Sequence, residues 1–108
     1  MMLGNIGTID FTNEEEKKLL LKLLYKIPAL EGKDTNIIVL ESLTRALMKK
    51  YNYRVPLVYF SLKTYTCSVE KDDKTISTIY ALNIEEFYIK LVCLLYWHNK
   101  NMRYFRWG

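Results

Sequence analysis

The sequence predicts an α+β fold in a single compact domain spanning residues 1–108. Three observations support this class: two helical patterns in the first half, two β-rich runs joined by turn residues after them, and a long apolar helical pattern near the C-terminus. Half of the 108 residues are hydrophobic and only two are proline. The chain therefore has the composition of a folded domain with a buried core.

The first elements are predicted to be a short edge strand and an amphipathic helix. Residues 6–11 alternate weakly between apolar and polar, as a strand does. Thr12 and Glu15 have the spacing of a capping box, in which each side chain satisfies a backbone amide at a helix N-terminus. Leucines then recur at helical spacing up to Ile27, and Pro28 ends the pattern.

A second helix is predicted from a cap at Asp34 or Thr35 to about Tyr51. Its opening residues, 37–40, are apolar and β-branched enough to form a strand. The helical repeat continues to Lys50, however, so a helix is the better prediction. The sequence thus predicts two N-terminal helices.

The middle of the chain predicts a long antiparallel β-hairpin, because its residues are mostly β-branched or aromatic. The turn is placed at residues 71–74, Lys-Asp-Asp-Lys. Pairing Glu70 with Thr75 sets a register in which Tyr65 lies opposite Tyr80. One face is then in the core, and the side chains predicted to point away from it are Thr66, Ser68 and Ser77.

Upstream of this hairpin the alternation changes phase. Val58, Phe60 and Leu62 lie on the opposite parity from Tyr65. Side chains along a strand alternate with a period of two, so one strand cannot keep both sets on the same face without an irregularity. A bulge or bend is therefore predicted near residues 63–64.

A third helix is predicted to follow the hairpin and to be largely buried. Asn83 can cap it, with Glu86 at the third helical position. Residues 87–97 are apolar on all sides, and Lys90 is the only residue among them that marks a solvent-facing position. Either this helix is the centre of the monomer or another chain covers part of it. The tract is too short to cross a bilayer, so no membrane association is predicted.

Residue types that carry catalysis do not combine into a known site. His98 is the only histidine and lies on an apolar helical stripe, which indicates a structural, half-buried side chain. Cys93 lies about 140° around the helix from it, so the two cannot form a dyad there. Cys67 and Cys93 are expected to be reduced core thiols. No glycine-rich phosphate loop and no zinc spacing occur, so we expect no enzyme, no cofactor and no metal.

The net charge of +4 is unevenly distributed. A basic segment without acids lies between Glu41 and Glu70. Helix electrostatics explain the lysines at the end of the second helix but not the later basic residues. The apolar start of that helix argues against duplex recognition, so single strands are the more plausible nucleic-acid ligand. The candidate nucleic-acid-binding residues are Lys49, Lys50, Arg54 and Lys63.

The tail, residues 99–108, combines arginine with aromatic side chains. This combination suits a protein contact or base stacking. The same residues can instead form a short closing strand with Phe105 and Trp107 in the core. The candidate partner-binding residues are Arg103, Tyr104, Arg106 and Trp107.

Together these features predict a non-enzymatic, intracellular and cytoplasmic protein that acts as an interaction or inhibitor-type module. We expect it to bind a protein partner and to form a homodimer, because the third helix carries more apolar surface than a small monomer easily covers. The alternative is a nucleic-acid-binding protein. A steep, linear dependence of affinity on log salt would distinguish that alternative from an apolar protein interface.

Overall fold

The α+β class and the order of helix, helix, hairpin and helix are confirmed by a computed structural model, which describes residues 6–55 and 57–100. The closing strand predicted in the tail lies outside these residues. The described elements are 3₁₀ helices at Ile6–Thr8 and Pro28–Leu30, helices α1 (Glu14–Tyr25), α2 (Ile37–Tyr51) and α3 (Ile84–Asn99), and strands β1 (Tyr53–Arg54), β2 (Val58–Ser61), β3 (Thr64–Lys71) and β4 (Lys74–Ala81).

The N-terminal segment is not the predicted edge strand, since Ile6–Thr8 forms a 3₁₀ helix. This helix packs against β4 so closely that a Cβ atom on Gly7 would overlap the carbonyl oxygen of Thr78. Only glycine allows this approach. Ile6 and Ile9 are buried there, so the alternating pattern reflects two core contacts on a short helical segment and not a strand.

Asparagine caps all three α-helices, which corrects two of the predicted caps. Asn13, not Thr12, caps α1, because the backbone and hydroxyl groups of Thr12 both donate to the Asp10 carboxylate. The α2 cap is Asn36, whose side-chain oxygen accepts from the amide of Val39 at 3.0 Å. Asp34 and Thr35 lie too early to cap a helix that begins at Ile37. The Asn83 cap of α3 is confirmed, with an accepted bond of 2.8 Å from the Glu86 amide.

The sheet is antiparallel, with β3 in its centre. Strand β4 pairs with one edge of β3, while β1 and β2 pair in succession with the other edge. The predicted irregularity near residues 63–64 is a complete reversal: Leu62 and Lys63 form a two-residue turn between β2 and β3. The change of phase upstream of Tyr65 therefore marks a separate strand and not a bulge within one strand.

The register of the second hairpin is partly as predicted. Glu70 does pair with Thr75, but the register shifts between Val69 and Glu70. Because of this bulge Tyr65 lies opposite Ala81 and not Tyr80. The same shift turns Ser77 into the core, where it is only 4% exposed, although the sequence pattern predicted a solvent-facing position.

Helix α3 is the central element of the monomer. It contacts the sheet, α1 and α2, and ten of its residues are buried. Its interior contacts include a hydrogen bond of 3.1 Å from the indole nitrogen of Trp97 to the carbonyl of Leu23. The apolar surface that suggested a second chain is thus covered within one chain. Among the described residues, no helix is long and apolar enough to cross a membrane.

Candidate binding surface

The predicted partner-binding residues of the tail, Arg103, Tyr104, Arg106 and Trp107, lie outside the described residues. The four basic residues proposed for nucleic-acid binding are described, and the structure separates them. Lys49 and Lys50 are exposed at the end of α2. Arg54 lies opposite Glu70 and 3.9 Å from the Asp73 carboxylate.

Lys63 lies in the turn at the other end of β3. Thr64 and Glu70 are six positions apart along this strand, which corresponds to about 20 Å at the usual rise of a β-strand. Two acidic side chains also accompany Arg54. The four residues therefore do not form one continuous basic surface.

The most unusual surface of the described chain lies on β2. All four residues of this strand are exposed, although three of them are apolar or aromatic. Leu57 before the strand and Leu62 after it are also exposed, Leu62 to 95%. Elsewhere the large apolar side chains are mostly in the core. We call these residues the β2 surface: Leu57, Val58, Tyr59, Phe60 and Leu62.

The inner face of β2 is continuous with the hydrophobic core but is not covered by it. Val58 pairs with Cys67 on β3, which is 1% exposed, yet Val58 itself is 49% exposed. Phe60 packs on Tyr65 with their ring centroids 4.6 Å apart, and Tyr65 lies 6.1 Å from the Phe87 ring of α3. A row of aromatic rings thus leads from the core to the exposed Phe60.

The outer face of the sheet carries two exposed tyrosines. Tyr59 pairs with Thr66, which in turn pairs with Tyr80. Residues directly opposite each other in antiparallel strands share a face. Tyr59 and Tyr80 therefore flank Thr66 on the solvent side, with 60% and 47% of their surfaces exposed.

The two edges of the sheet differ. The outer side of β4 is approached by Gly7 of the N-terminal 3₁₀ helix. In the described part of the chain, β2 pairs only with β3.

The hydrogen-bond pattern of β2 follows from the turn that ends it. Ser61 and Thr64 flank this two-residue turn and are expected to exchange both backbone hydrogen bonds, so bonded and non-bonded pairs then alternate along the strand. The amide and carbonyl groups of Val58 and Phe60 therefore point away from β3, towards the open edge.

The turn that ends β2 has an unfavourable sequence for its conformation. Leu62 and Lys63 have φ angles of 52° and 62°, the left-handed pair that two-residue hairpins favour. Asparagine, aspartate and glycine are the usual residues at such positions, and a leucine there costs about 1 kcal/mol. The Leu62 side chain gains no packing in return, since it is almost fully exposed.

Lys90, predicted to face solvent, is instead 2% exposed. Its ammonium group lies 3.1 Å from the Glu86 carboxylate and donates to the carbonyl oxygens of Ile9 at 2.5 Å and Tyr80 at 2.7 Å. Burial lowers the pKa of Lys90, and the hydrogen bond that its ammonium group donates to the Glu86 carboxylate opposes this shift. All three donors of the ammonium group are used, so this lysine joins α3, β4 and the N-terminal segment and does not present a free amine.

The Glu86 side chain also accepts from the Leu82 amide at 3.2 Å. It therefore pairs with a buried lysine and satisfies a backbone group just before α3. The sequence contains a signal for the pair: Glu86 and Lys90 have the four-residue spacing of neighbours on a helix face. The two long-range carbonyl partners have no such local signal.

His98 is half-buried, as predicted, at the other end of α3. Its Nδ1 atom lies 2.9 Å from the Tyr53 hydroxyl. Burial lowers the pKa of His98, and the positive charge of Lys71 lowers it further. Burial also raises the pKa of Tyr53 to about 12. This pair joins α3 to β1.

The cysteines are buried and unpaired with each other. Burial raises the pKa of Cys67 to about 11 and that of Cys93 further still, so neither thiol is an activated nucleophile. In the residues that the structure describes, no three side chains of the metal-ligating types come together.

No family model, similar curated protein or similar solved structure matches this chain. The candidate site therefore follows from the residues of the chain itself. Of its surfaces, the β2 surface combines apolar side chains, open backbone groups and a strained exposed leucine.

Proposed function

We propose that this chain is a non-enzymatic interaction module that binds a protein partner by adding a strand of the partner to β2. The observation that carries the proposal is the exposure of the whole of β2. A partner strand would bond to the outward backbone groups of Val58 and Phe60. Its side chains would cover the apolar β2 surface, as in other cases of recognition by strand addition.

The β2 surface is large enough to contribute useful binding energy. Tyr59 and Phe60 each expose about 60% of their area, and an aromatic side chain can bury roughly 150–250 Å². Removing apolar area from water is worth about 25 cal/mol per Å². Aromatic residues at the centre of an interface are also the commonest hot spots.

Leu62 adds an independent argument. Edge strands that must stay unpaired usually carry charges or proline against association. Here β2 itself carries neither, and the turn that ends it contains, beside Lys63, a strained leucine with 95% of its surface exposed. Neither folding nor solubility is served by this residue, whereas a partner could bury it. Strain of this kind is often found at functional sites.

A protein partner fits this surface better than a nucleic acid. Residues 57–62 contain no charged side chain, whereas nucleic-acid affinity comes mainly from contacts between basic residues and phosphates. Lys49 and Lys50 lie at the end of α2, whereas Arg54 and Lys63 lie at opposite ends of the sheet. We therefore keep the expected cytoplasmic interaction or inhibitor-type role, with a second copy of the chain among the partners that the surface can bind.

The test places a photo-activated aromatic crosslinker at position 59, in full-length protein produced in its native cells. Tyr25 on α1 supplies a matched control, since it is also a tyrosine with about the same exposure, 59% against 60%. We expect crosslinked protein from position 59 and not from position 25. Whether the crosslinked partner is a different protein or another copy follows from its mass.

A crosslinked partner must then be purified and its affinity measured. Phe60→Lys should weaken binding by at least about tenfold, as expected for a central aromatic contact. Tyr25→Lys should leave the affinity unchanged. If position 59 gives no more crosslinks than position 25, or if Phe60→Lys binds as well as the wild type, the β2 surface is not the binding site.

A further inference from the structure

We infer that the partner of the β2 surface is a second copy of this chain, paired antiparallel with β2 about a two-fold axis at Tyr59. The inference rests on the proposed function, since it names the occupant of the same surface. The two sheets would join into one continuous sheet through their open edges, with β2 next to β2 of the partner copy.

A two-fold axis at Tyr59 pairs all the outward backbone groups of β2 with one another. The outward groups belong to Val58 and Phe60, and Tyr59 between them turns its groups towards β3. When Tyr59 lies opposite its own copy, Val58 of each chain meets Phe60 of the other. Each of these two pairs can exchange both hydrogen bonds, and the tyrosines form the non-bonded pair between them.

The side chains fit the same arrangement. On the inner face the smaller Val58 lies opposite the larger Phe60 twice, once on each side of the axis. Pairs of aromatic and β-branched side chains are favourable across antiparallel strands. On the outer face the two Tyr59 rings lie side by side. A two-fold axis requires a surface that complements itself, and these residues meet that requirement.

Charge does not oppose the pairing. Residues 57–62 carry no charge, so the central pairs bring no like charges together. Edge strands of natural sheets usually avoid self-association through inward-pointing charges or lysines on the edge. At the opposite edge of the sheet, the N-terminal 3₁₀ helix lies against β4. The pairing is therefore expected to close at two copies and not to extend into a filament.

The dimer can be tested with charges at the axis. In Tyr59→Lys and in Tyr59→Glu, two like charges would face each other, and each variant should dimerise at least about tenfold more weakly than the wild type. A mixture of the two variants should form a heterodimer, because the charges at the axis are then opposite. Tyr25→Lys is the control, and sedimentation equilibrium against the 12.9 kDa monomer measures the association.

A cysteine at the axis tests the register directly. Non-bonded pairs in antiparallel strands have Cα atoms about 4.5 Å apart, within the range that a disulfide spans. Tyr59→Cys should therefore oxidise to a covalent dimer, whereas Tyr25→Cys should not. The native Cys67 and Cys93 are buried and should contribute little background.

The results separate this inference from the proposed function. If the wild type stays monomeric throughout the micromolar range while position 59 crosslinks to a different protein, the second-copy inference is wrong and the proposed function stands. If a dimer forms but the mixture of Lys and Glu variants is no better than either alone, and Tyr59→Cys does not crosslink, the dimer uses another surface. Absence of any crosslink at position 59 contradicts both.

Discussion

The two hairpin turns of the sheet have nearly the same backbone and very different sequences. At one end Asp72 and Asp73 have φ angles of 53° and 63°; at the other, Leu62 and Lys63 have 52° and 62°. Aspartate tolerates this conformation and is well solvated. Leucine is strained in this conformation, and its apolar side chain is poorly solvated. Turn geometry alone therefore explains the first sequence but not the second, and this is why we propose a role for Leu62 in partner binding.

What lies beneath each turn also differs. Near the Leu62 turn, Lys90 and Glu86 form a buried ion pair that joins three elements. Near the Asp72 turn, α3 is held to the sheet by the hydrogen bond between His98 and Tyr53. The apolar turn therefore lies at the same end of the sheet as this buried ion pair, which anchors β4 to α3 and to the N-terminal segment.

Removing this anchor is expected to have the largest effect on stability. Lys90→Met should lower the free energy of unfolding by about 3–5 kcal/mol, because it leaves the Glu86 carboxylate and two carbonyl groups buried without the ammonium group. Lys74→Met, at the exposed start of β4, should change it by no more than about 0.5 kcal/mol. Urea unfolding followed by circular dichroism measures both. Equal stability of the two variants would mean that Lys90 anchors nothing.

A methyl group at Gly7 should have the next largest effect. Gly7→Ala would force the N-terminal 3₁₀ helix away from the Thr78 carbonyl, at a cost of about 1–3 kcal/mol. The displacement should also speed hydrogen exchange of backbone amides on β4 and leave those on β2 unchanged. Native exchange rates on β4 in this variant would contradict the close packing of the two segments.

Changing the turns themselves should sharpen the contrast between them. Replacing Leu62 by Asn and Lys63 by Gly should raise the free energy of unfolding by about 1 kcal/mol, because both residues then suit a left-handed turn. The same change at Asp72 and Asp73 should gain less, since aspartate already tolerates the conformation. Thermal unfolding of the two double variants gives the comparison.

Partner binding should change in the opposite direction. The stabilised Leu62 variant should bind its partner more weakly, whereas the variant at Asp72 and Asp73 should bind normally. A gain in stability with no loss of binding would mean that Leu62 has no contact with the partner.

The elements that the sequence predicted correctly have local signals. The repeat in α2, the cap at Asn83 and the turn at residues 71–74 each depend on neighbours within a few residues. The turn at Leu62 was missed because its residues are not turn formers. The buried position of Ser77 was missed because it depends on a bulge after Val69 that the alternating pattern does not show.

The candidate site was harder to predict than the fold. Apolar residues in α3 and in β2 look alike in the sequence, yet the structure places the first group in the core and the second on an edge strand. Only the position of each element in the sheet and helix layers decides which group is covered. Lys90 is the opposite case, a residue that the sequence pattern predicted to be exposed. Two of its partners, the carbonyl groups of Ile9 and Tyr80, lie outside α3, so the helical pattern gives no sign of them. The sequence pattern therefore predicted a solvent-facing position for a lysine that the fold buries.

The smallest expected effect belongs to the Asp72 end of the molecule and depends on pH. Burial and the charge of Lys71 lower the pKa of His98 below its ordinary value of 6.5. The folded protein therefore binds the His98 proton less readily than the unfolded chain does. As pH falls through about 6.5, the unfolded chain takes up this proton first, and the free energy of unfolding must decrease.

Urea unfolding between about pH 8 and pH 5.5 tests this dependence in a range where carboxylates remain largely ionised. The wild type should lose stability towards the acidic end of the range, and above about pH 7.5 its stability should be constant with respect to His98. His98→Gln cannot titrate, so its stability should stay flat across the same range, even if its overall value is lower because the hydrogen bond with Tyr53 has changed. If the slope persists in His98→Gln, the pH dependence belongs to another group, and protonation does not weaken the contact between α3 and β1.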